Sequence, residues 1–277
     1  MQNSSPSPVN IREVWSHNLE SEISLIRALI DDFPFVAMDT EFPGVTIRVL
    51  FPSPVTLSHL NYQTLRANVD LLHMIQLGLA FSDEKGTLPV IEGKPSVWQF
   101  NFKEFDLEND IYDPESIKLL RNHGIDLHKH QTYGVDASRF AELLMSSGVV
   151  LNDSVVWITF HGGYDFGYLL KCLTASKLPE TLEGFTELSK TFFPVYYDVK
   201  HLMRYCPGQA FHGGLNKLSD ALAVERVGIC HQAGSDALVT LKCFLEMLEK
   251  KYVSLPLEKY AGVLYGTGDD YLQMLKV

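Results

Sequence analysis

Two acidic residues lie close together in the segment FVAMDTEFPGV (35–45). Its first four residues have the apolar character of a buried strand, and Asp39 and Glu41 follow them with only Thr40 between. Because side chains two positions apart in a strand point to the same face, two carboxylates at this spacing would repel each other. Taken alone, the segment therefore favours a strand that ends at Met38 and a solvated turn after it.

Two further aspartates and a histidine stand at the boundaries of later elements. Asp165 follows the apolar run VVWITF (155–160), and Asp236 opens a long helical segment, with His231 five residues before it. Each aspartate has a structural explanation by itself, because an acid at a helix start accepts bonds from free backbone N–H groups and complements the helix dipole. His231 by itself is more simply explained as a loop residue.

Taken together, the four acids and the histidine indicate metal-dependent hydrolysis. Four carboxylates in one pocket cannot all stay charged without cations, and oxygen ligands favour hard divalent ions such as Mg²⁺ or Mn²⁺. Two such ions about 4 Å apart can hold the attacking and leaving oxygens of a phosphodiester displacement. A histidine beside them, here His231, can accept the proton of the attacking water near neutral pH.

Length and composition set limits on the class of protein. The 277 residues, 46% of them hydrophobic, suit one large domain or two small ones, and no apolar run reaches the roughly 18 residues of a membrane span. The polar start, residues 1–10, is predicted to be a disordered lead. Four scattered cysteines without a CxxC pair suit the cytosol or nucleus. The net charge of −11 argues against broad electrostatic binding of nucleic acid, but not against a small acidic site where metal ions meet phosphate.

The elements that must position the acids are predicted from hydrophobic periodicity and from start and stop signals. The predicted strands are 35–38, 73–83, a third that ends in WQFNF, 155–160 and 195–199. The predicted helices are 18–33, 113–124, 136–148, 164–174, 214–224 and 235–252. Close spacing of the first three strands indicates an antiparallel meander, and the later helices indicate one mixed sheet covered by helices. The segment HKHQTYG (128–134) is predicted to be a surface connection.

Several of these segments resemble one branch of a known nuclease superfamily. The sequence is similar to the histidine-bearing (DEDDh) branch of the DEDD 3′-to-5′ exonucleases, and within it to the Caf/Pop-type poly(A) deadenylase subunits of Ccr–Not complexes. The resemblance covers most of residues 11–266. It is carried by FVAMDTEFPGV, NVDLLHMIQLGLAF, WQFNF, FAELLMSSGVVL, TFHGGYDFGYLLK, FFPVYYDVKHLM and ERVGICHQAGSDAL.

The resemblance implies a fold and an activity. The implied fold is α/β and RNase H-like, with a mixed five-stranded sheet flanked by α-helices, in a single exonuclease domain over 11–266 and a tail over 267–277. The implied activity is metal-dependent 3′-to-5′ removal of adenylates from mRNA poly(A) tails, with release of 5′-AMP. The family acids that bind two divalent ions, Mg²⁺ or Mn²⁺, and the family general base are matched by Asp39, Glu41, Asp165, Asp236 and His231.

The resemblance also implies partners and a location. Poly(A) RNA would be the substrate, and a scaffold subunit and a companion deadenylase would be the protein partners, in the cytoplasm and nucleus and without a membrane. Phe42, directly after the second acid, could stack on the terminal base or pack under the sheet edge. Segment 46–60 and the stretch PVIEGKPSV depart from the family pattern near the active edge, so they could alter RNA contacts or rate.

Two other functions remain open from the sequence. One is a general DEDDh exonuclease that acts on other RNA or DNA 3′ ends. The other is an adaptor subunit whose nuclease activity is secondary, although the intact set of acids argues against it.

Overall fold

The computed structural model describes residues 8–50, 56–207, 211–253 and 256–267. Most of the predicted lead (1–10) and of the predicted tail (267–277) lies outside these residues. The strands are β1 (Asn10–Val14), β2 (Phe35–Glu41), β3 (Gln76–Ser82), β4 (Val90–Ile91), β5 (Lys94–Asn101), β6 (Val156–Thr159) and β7 (Val195–Asp198). The α-helices are α1 (Leu19–Leu29), α2 (Leu57–Leu71), α3 (Pro114–Asn122), α4 (Leu127–Tyr133), α5 (Ala137–Met145), α6 (Gly163–Thr174), α7 (Leu182–Phe192), α8 (Val199–Leu202), α9 (Leu215–Leu222) and α10 (Ala233–Glu249).

The strands form one mixed sheet in the order β1-β5-β3-β2-β6-β7, and β4 pairs with β5. Strands β2, β3 and β5 are antiparallel neighbours, whereas β6 and β7 run parallel to β2. The predicted meander and the mixed sheet flanked by helices are therefore confirmed. The predicted number of five strands is wrong, because β1 adds an edge parallel to β5 and β4 forms a two-residue hairpin partner. Because β1 is an edge strand and only partly buried, it can have the polar sequence NIREV. A strand without apolar alternation is not predicted from hydrophobic periodicity.

Helices cover both faces of the sheet, and strand alternation assigns each residue of β2 to one of them. Val36 and Met38 lie in the core that β2 forms with α1, α2, α5, α6 and α7. Ala37, on the opposite face, lies in the core formed with α8, α9 and α10. Because the period is two, Asp39 and Glu41 face the α10 side and Thr40 faces the α6 side. At the end of β2, Asp39 and Glu41 therefore lie on the α10 face, and the α6 face meets Asp165 through Thr40.

Strand β2 extends further than the simplest interpretation of its sequence. Asp39, Thr40 and Glu41 remain paired with β3, and Glu41 lies opposite Gln76 at the end of the register. The alternative of a strand that stops at Met38, followed by a solvated turn, is therefore wrong. Pairing with β3 supplies the backbone hydrogen bonds that hold two acids at the strand end despite their repulsion.

The segment predicted as a surface connection over 128–134 is largely helical, because Asp126 caps the first turn of α4. His130 within it is buried, and its Nδ1 lies 3.1 Å from the carbonyl oxygen of Phe102. Burial lowers the pKa of His130 to about 4, so this histidine is neutral in the folded protein.

All four cysteines are free. Within the described ranges, no helix has both the length and the apolar character needed to span a bilayer.

Gly78 sets how closely α10 approaches the sheet. It lies opposite Asp39 in the β2–β3 register, and a Cβ there would stand 1.9 Å from the carbonyl oxygen of Ala233 and 2.5 Å from the nitrogen of Gly234. Both atoms belong to the backbone of the first turn of α10, so they cannot rotate away. The absence of a side chain at Gly78 thus brings Asp236 close to Asp39.

We expect Gly78→Ala to lower the free energy of unfolding by about 1–3 kcal/mol or more, because the added methyl group must displace α10. Urea unfolding of both proteins measures the difference. Gly214→Ala is the matched control, since a Cβ at Gly214 meets no described atom within 4 Å. Equal unfolding midpoints for Gly78→Ala and Gly214→Ala would contradict the close packing of α10 on β3.

Candidate metal centre

Three of the predicted acids converge where β2 ends and α10 begins. Asp39 and Glu41 are the last acids of β2, and Asp236 lies in the first turn of α10. Each offers a carboxylate oxygen, and these three atoms lie within 4.8 Å of one another. They line a cleft of about 500 Å³ together with His231. Residues nearly 200 positions apart in sequence therefore form one acidic site.

Asp165 approaches the same strand end from the opposite face. It lies in the first turn of α6, and its Oδ1 accepts hydrogen bonds from the backbone nitrogen of Thr40 at 2.9 Å and from the Thr40 hydroxyl. The Thr159 hydroxyl donates to its other oxygen at 3.4 Å. Asp165 is 6% exposed, and it is not among the described residues that line the cleft. Beyond the effect of burial, its charge raises the pKa values of Asp39 and Glu41, so the fourth carboxylate lies near the other acids.

Neither Asp165 nor Asp236 caps its helix. The N-cap of α6 is Gly162 and that of α10 is Gln232, and neither cap residue makes a side-chain hydrogen bond to its helix. By contrast, Asp113, which is the N-cap of α3, accepts a hydrogen bond from the backbone nitrogen of Ser116. The capping explanation for Asp165 and Asp236 is therefore wrong, and both carboxylates are left to act at the sheet end.

The carboxylate of Asp236 is held by two donors. Arg226 Nη1 donates to Oδ1 at 2.6 Å, and the backbone nitrogen of His231 donates to Oδ2 at 2.9 Å. The other terminal nitrogen of Arg226 donates to Asn216 Oδ1 at 2.7 Å. Arg226 therefore fixes the orientation of Asp236 and supplies one positive charge at the edge of the acidic site.

Burial and mutual repulsion raise the pKa values of the clustered acids. Burial raises the pKa of Asp39 well above its ordinary value, and the charges of Asp165, Asp236 and Glu41 add to the effect. Burial, then Asp236 and Asp165, raises the pKa of Glu41 to about 8. Burial raises the pKa of Asp165 to about 7, although its hydrogen bonds from Thr40 oppose the change. A site that disfavours its own ionised form is one that a cation would stabilise.

The donor set fits divalent metal ions. Asp39, Glu41 and Asp236 offer hard oxygen atoms at one point, and Asp165, bound to Thr40 between the first two, is the fourth carboxylate. Carboxylates of this kind are the ligands that Mg²⁺ and Mn²⁺ favour. A second group in the same cleft, Cys230, His231 and Asp236, also has potential ligand atoms within 4.8 Å of one another.

His231 lines the same cleft as the acids. Its backbone φ of 60° is unusual for a residue other than glycine, and its N–H bond to Asp236 fixes this conformation. Its ring packs edge-to-face on His123, with 4.8 Å between the ring centroids. Burial lowers the pKa of His231, an effect that the charge of Asp236 opposes. The neutral imidazole, which can accept a proton, is therefore favoured.

Phe42 has a packing role in the described structure. Its ring stacks on Tyr164 at 5.1 Å and contacts Tyr168 at 5.0 Å between centroids. Among the described residues, Phe42 is not one that lines the acidic cleft. Stacking of Phe42 on a terminal base remains a prediction, whereas packing under the sheet edge is what the geometry displays.

Three supporting residues were missed in the sequence. Thr40 binds Asp165, Arg226 binds Asp236, and Asp198 accepts hydrogen bonds from four backbone nitrogens, those of His161, Gly162, Lys200 and Tyr265. Asp198 is fully buried and ties the turn that precedes α6 to the end of β7. One signal could have identified it, since an acid that ends the apolar strand VYYD has the same setting as Asp39.

The fold and the site together define a metal-dependent nuclease of RNase H-like architecture. The model of the CAF1 family ribonucleases matches residues 14–143 and 137–244 of the sequence. The chain belongs to the CAF1 ribonuclease family.

Two relatives and two solved structures agree with this assignment. The chain is 58% identical over 262 residues to "Probable CCR4-associated factor 1 homolog 7" of Arabidopsis thaliana, covering 94% of each chain. It is 48% identical over 260 residues to "Poly(A) ribonuclease pop2" of Schizosaccharomyces pombe, covering 93% of this chain and 75% of the relative. It also resembles the structure of S. pombe Pop2p with Mg²⁺ and Mn²⁺ bound, with a TM-score of 0.86, 46% identity, and coverage of 94% and 100%. Yeast CAF1 co-crystallised with the NOT1 MIF4G domain matches with a TM-score of 0.76, 35% identity, and coverage of 96% and 100%.

Proposed function

We propose that this protein is a metal-dependent 3′-to-5′ exoribonuclease that removes adenylates from mRNA poly(A) tails and releases 5′-AMP. The observation that carries the proposal is the convergence of Asp39, Glu41 and Asp236 with His231 in one cleft. The S. pombe relative named as a poly(A) ribonuclease supports the choice of substrate. The observed carboxylates support an active enzyme over an adaptor whose nuclease activity is secondary.

The proposed roles follow from the contacts of each side chain. Asp39, Glu41, Asp165 and Asp236 would hold two divalent ions, Mg²⁺ or Mn²⁺, which would neutralise the phosphodiester and acidify the attacking water. His231 accepts the proton of that water through its neutral imidazole. Thr40 and Arg226 hold Asp165 and Asp236 in place, so that their oxygens need no reorganisation during hydrolysis.

We also propose that the protein acts within a Ccr–Not assembly. The Arabidopsis relative is named for association with CCR4, and the yeast neighbour was crystallised with a domain of NOT1. A scaffold subunit and a companion deadenylase are accordingly the proposed partners, in the cytoplasm and nucleus. Because the chain has a net charge of −11, partners could also add to its affinity for RNA.

Hydrolysis from the 3′ end gives the first test. Incubated with Mg²⁺ or Mn²⁺, RNA that is labelled at its 5′ end and carries a 3′ poly(A) tail should shorten as a ladder, and chelator should stop the reaction. A 3′-phosphate should block it, because a second anion would stand beside the clustered carboxylates. Rapid internal cleavage, or equal rates on blocked and free RNA, would overturn the proposed polarity.

The choice of substrate is tested in the same assay. Oligo(A) should be shortened faster than mixed-sequence RNA or DNA of equal length, and the enzyme should slow where the tail meets mixed sequence. Equal rates on all three would favour the general exonuclease. No shortening of any of them by the isolated chain with metal would favour the adaptor.

A further inference from the structure

A second cleft of about 500 Å³ lies beside the acidic cleft. Its described lining includes Arg48, His161, Tyr164 and Tyr265. It combines one exposed cation with three rings, and its described lining has no carboxylate, whereas three carboxylates line the acidic cleft. We propose that this second cleft binds the nucleotides upstream of the scissile phosphate, with Arg48 at a backbone phosphate and the rings at the bases. The proposal rests on the proposed exoribonuclease function and extends it to a particular site.

The chain segments that carry the catalytic acids continue into this cleft. Phe42 directly follows Glu41 and stacks on Tyr164, which directly precedes Asp165. On the other side, Phe160 lines the acidic cleft and the next residue, His161, lines the second one. A strand of RNA whose last nucleotide reaches Asp39 would therefore find its preceding nucleotides beside the second cleft.

A cation also stands at the junction of the two clefts. Lys200 Nζ lies 5.5 Å from the ring centroid of Phe160 and 5.5 Å from that of Tyr265. The Lys200 ammonium also donates to the carbonyl oxygen of Gly213. A cation between two rings suits a path along which a polyanion with flat bases passes.

Arg48 is available for a ligand. Its side chain is exposed and makes no hydrogen bond or ion pair within the described ranges. Its charge acts on Tyr164, where it opposes the rise in pKa that burial causes. Hydrogen bonds from Ser116 lower the pKa of Asp113 and the charge of Arg48 adds to the effect, but Arg48 and Asp113 form no ion pair within the described ranges. Asp113 Oδ2 instead accepts a hydrogen bond from the Ser116 hydroxyl. On a chain with a net charge of −11, an uncompensated guanidinium beside aromatic rings favours an anionic, base-bearing ligand over an acidic peptide.

The start of segment 46–60 forms part of the cleft. Arg48, Val49 and Leu50, which are described residues of that segment, line it. Asn68 holds this stretch in place, because its Oδ1 accepts hydrogen bonds from the backbone nitrogens of Thr46 and Ile47 at 2.7 and 2.9 Å. Substitutions in this stretch are therefore expected to alter contacts to upstream RNA and to leave the acids unchanged.

Arg48→Gln tests the phosphate contact. It should raise KM for long oligo(A) about tenfold at low salt, as expected for the loss of one charge-assisted contact, with kcat unchanged. The slope of log K against log salt should fall by about 0.7, the value for one phosphate of a single strand. The dinucleotide ApA has no phosphate upstream of the scissile one, so its hydrolysis should be unaffected. Arg27→Gln is the matched control, because Arg27 is an exposed residue of α1 that binds Ser146.

The rings are tested at Tyr265. Tyr265→Leu should weaken the binding of fluorescent oligo(A), measured by anisotropy in chelator, by about fivefold or more. Tyr265→Phe keeps an aromatic ring and should bind as tightly as the wild type. Equal KM for Arg48→Gln and Arg27→Gln on long oligo(A), or equal losses on ApA, would overturn the proposed subsite. Binding in chelator keeps the two proposals separate. A chain that binds oligo(A) through Arg48 but never shortens it would retain the subsite and refute the nuclease.

Discussion

His231→Ala is expected to lower kcat on oligo(A) by about 10²–10⁴-fold while the protein stays folded. Among the described residues, His231 has the one imidazole that lines the acidic cleft, and the substitution removes it and with it the proposed acceptor for the proton of the attacking water. The backbone N–H bond to Asp236 does not depend on the side chain, so the acids should keep their positions. Single-turnover rates, with metal binding measured by thermal shift, separate the two effects.

The pH profile provides a second measure of the same role. Burial, together with the charges of His123 and Arg226, lowers the pKa of His231 below its ordinary value of about 6.5. Because the base must be neutral, the rate at saturating metal concentration should be constant near pH 7 and should fall as the pH drops through that lowered pKa. His231→Ala should lose this acidic limb along with most of its rate.

His123→Ala is the matched control for the histidine pair. The ring of His123 contacts that of His231, but it is not among the described residues that line the acidic cleft. Its removal takes away an influence that lowers the pKa of His231, so the acidic limb should move to higher pH with little loss of kcat at pH 8. Near-normal turnover by His231→Ala, or equal losses in both variants, would remove His231 from the mechanism.

Much of the fold could be predicted because its signals are local. The run FVAM, the alternation of β2, and the Asp caps of α3 and α5 each depend on a few consecutive residues. By contrast, β1 is polar because it lies at an edge, and α2 (Leu57–Leu71) begins within segment 46–60, for which the sequence pattern predicts no element. Elements of this kind owe their stability to their neighbours, which a pass along the chain does not reveal.

The candidate site could be predicted in part for the same reason. The type and spacing of Asp39 and Glu41 place both on one face of β2, and the geometry confirms it. Whether Asp165 caps its helix depends on a shift of a few residues in the helix start, a precision that the sequence pattern lacks. Asp198 accepts a hydrogen bond from the backbone nitrogen of Tyr265, which lies 67 residues later in the sequence. Only tertiary structure reveals such a contact.

Metal-free protein should lose stability as the pH rises, because the clustered acids must then ionise. Glu41 has a folded-state pKa of about 8, against an ordinary value of 4.5, and burial and repulsion raise that of Asp39 as well. A raised carboxyl pKa means that the folded state binds more protons than the unfolded state. The stability it contributes is complete below about 4.5 and is lost progressively up to about 8. Each unit of pKa corresponds to about 1.4 kcal/mol, which amounts to several degrees in Tm.

Divalent ions should reverse this loss. They bind the folded site and not the unfolded chain, so at 100 times Kd they add about 2.7 kcal/mol of stability. The wild-type Tm at pH 8 should therefore rise clearly with millimolar Mg²⁺ or Mn²⁺. The rise should be smaller at pH 5, where protons compete for the same oxygens.

Asp39→Asn removes one of the charges and one of the ligand oxygens, and we expect it to be essentially inactive. In chelator at pH 8 it should be as stable as the wild type or more so, since Asn cannot take part in the repulsion that Asp165, Asp236 and Glu41 exert on Asp39. With metal it should gain little. Asp153→Asn, at an exposed loop position, is the matched control and should behave as the wild type in every condition. Thermal melts in chelator and in metal decide the matter, because an equal response to metal by wild type and Asp39→Asn would show that Asp39 is not a ligand. A metal-dependent gain confined to proteins that keep Asp39 would link the acids of β2 to the metal, and hence to hydrolysis.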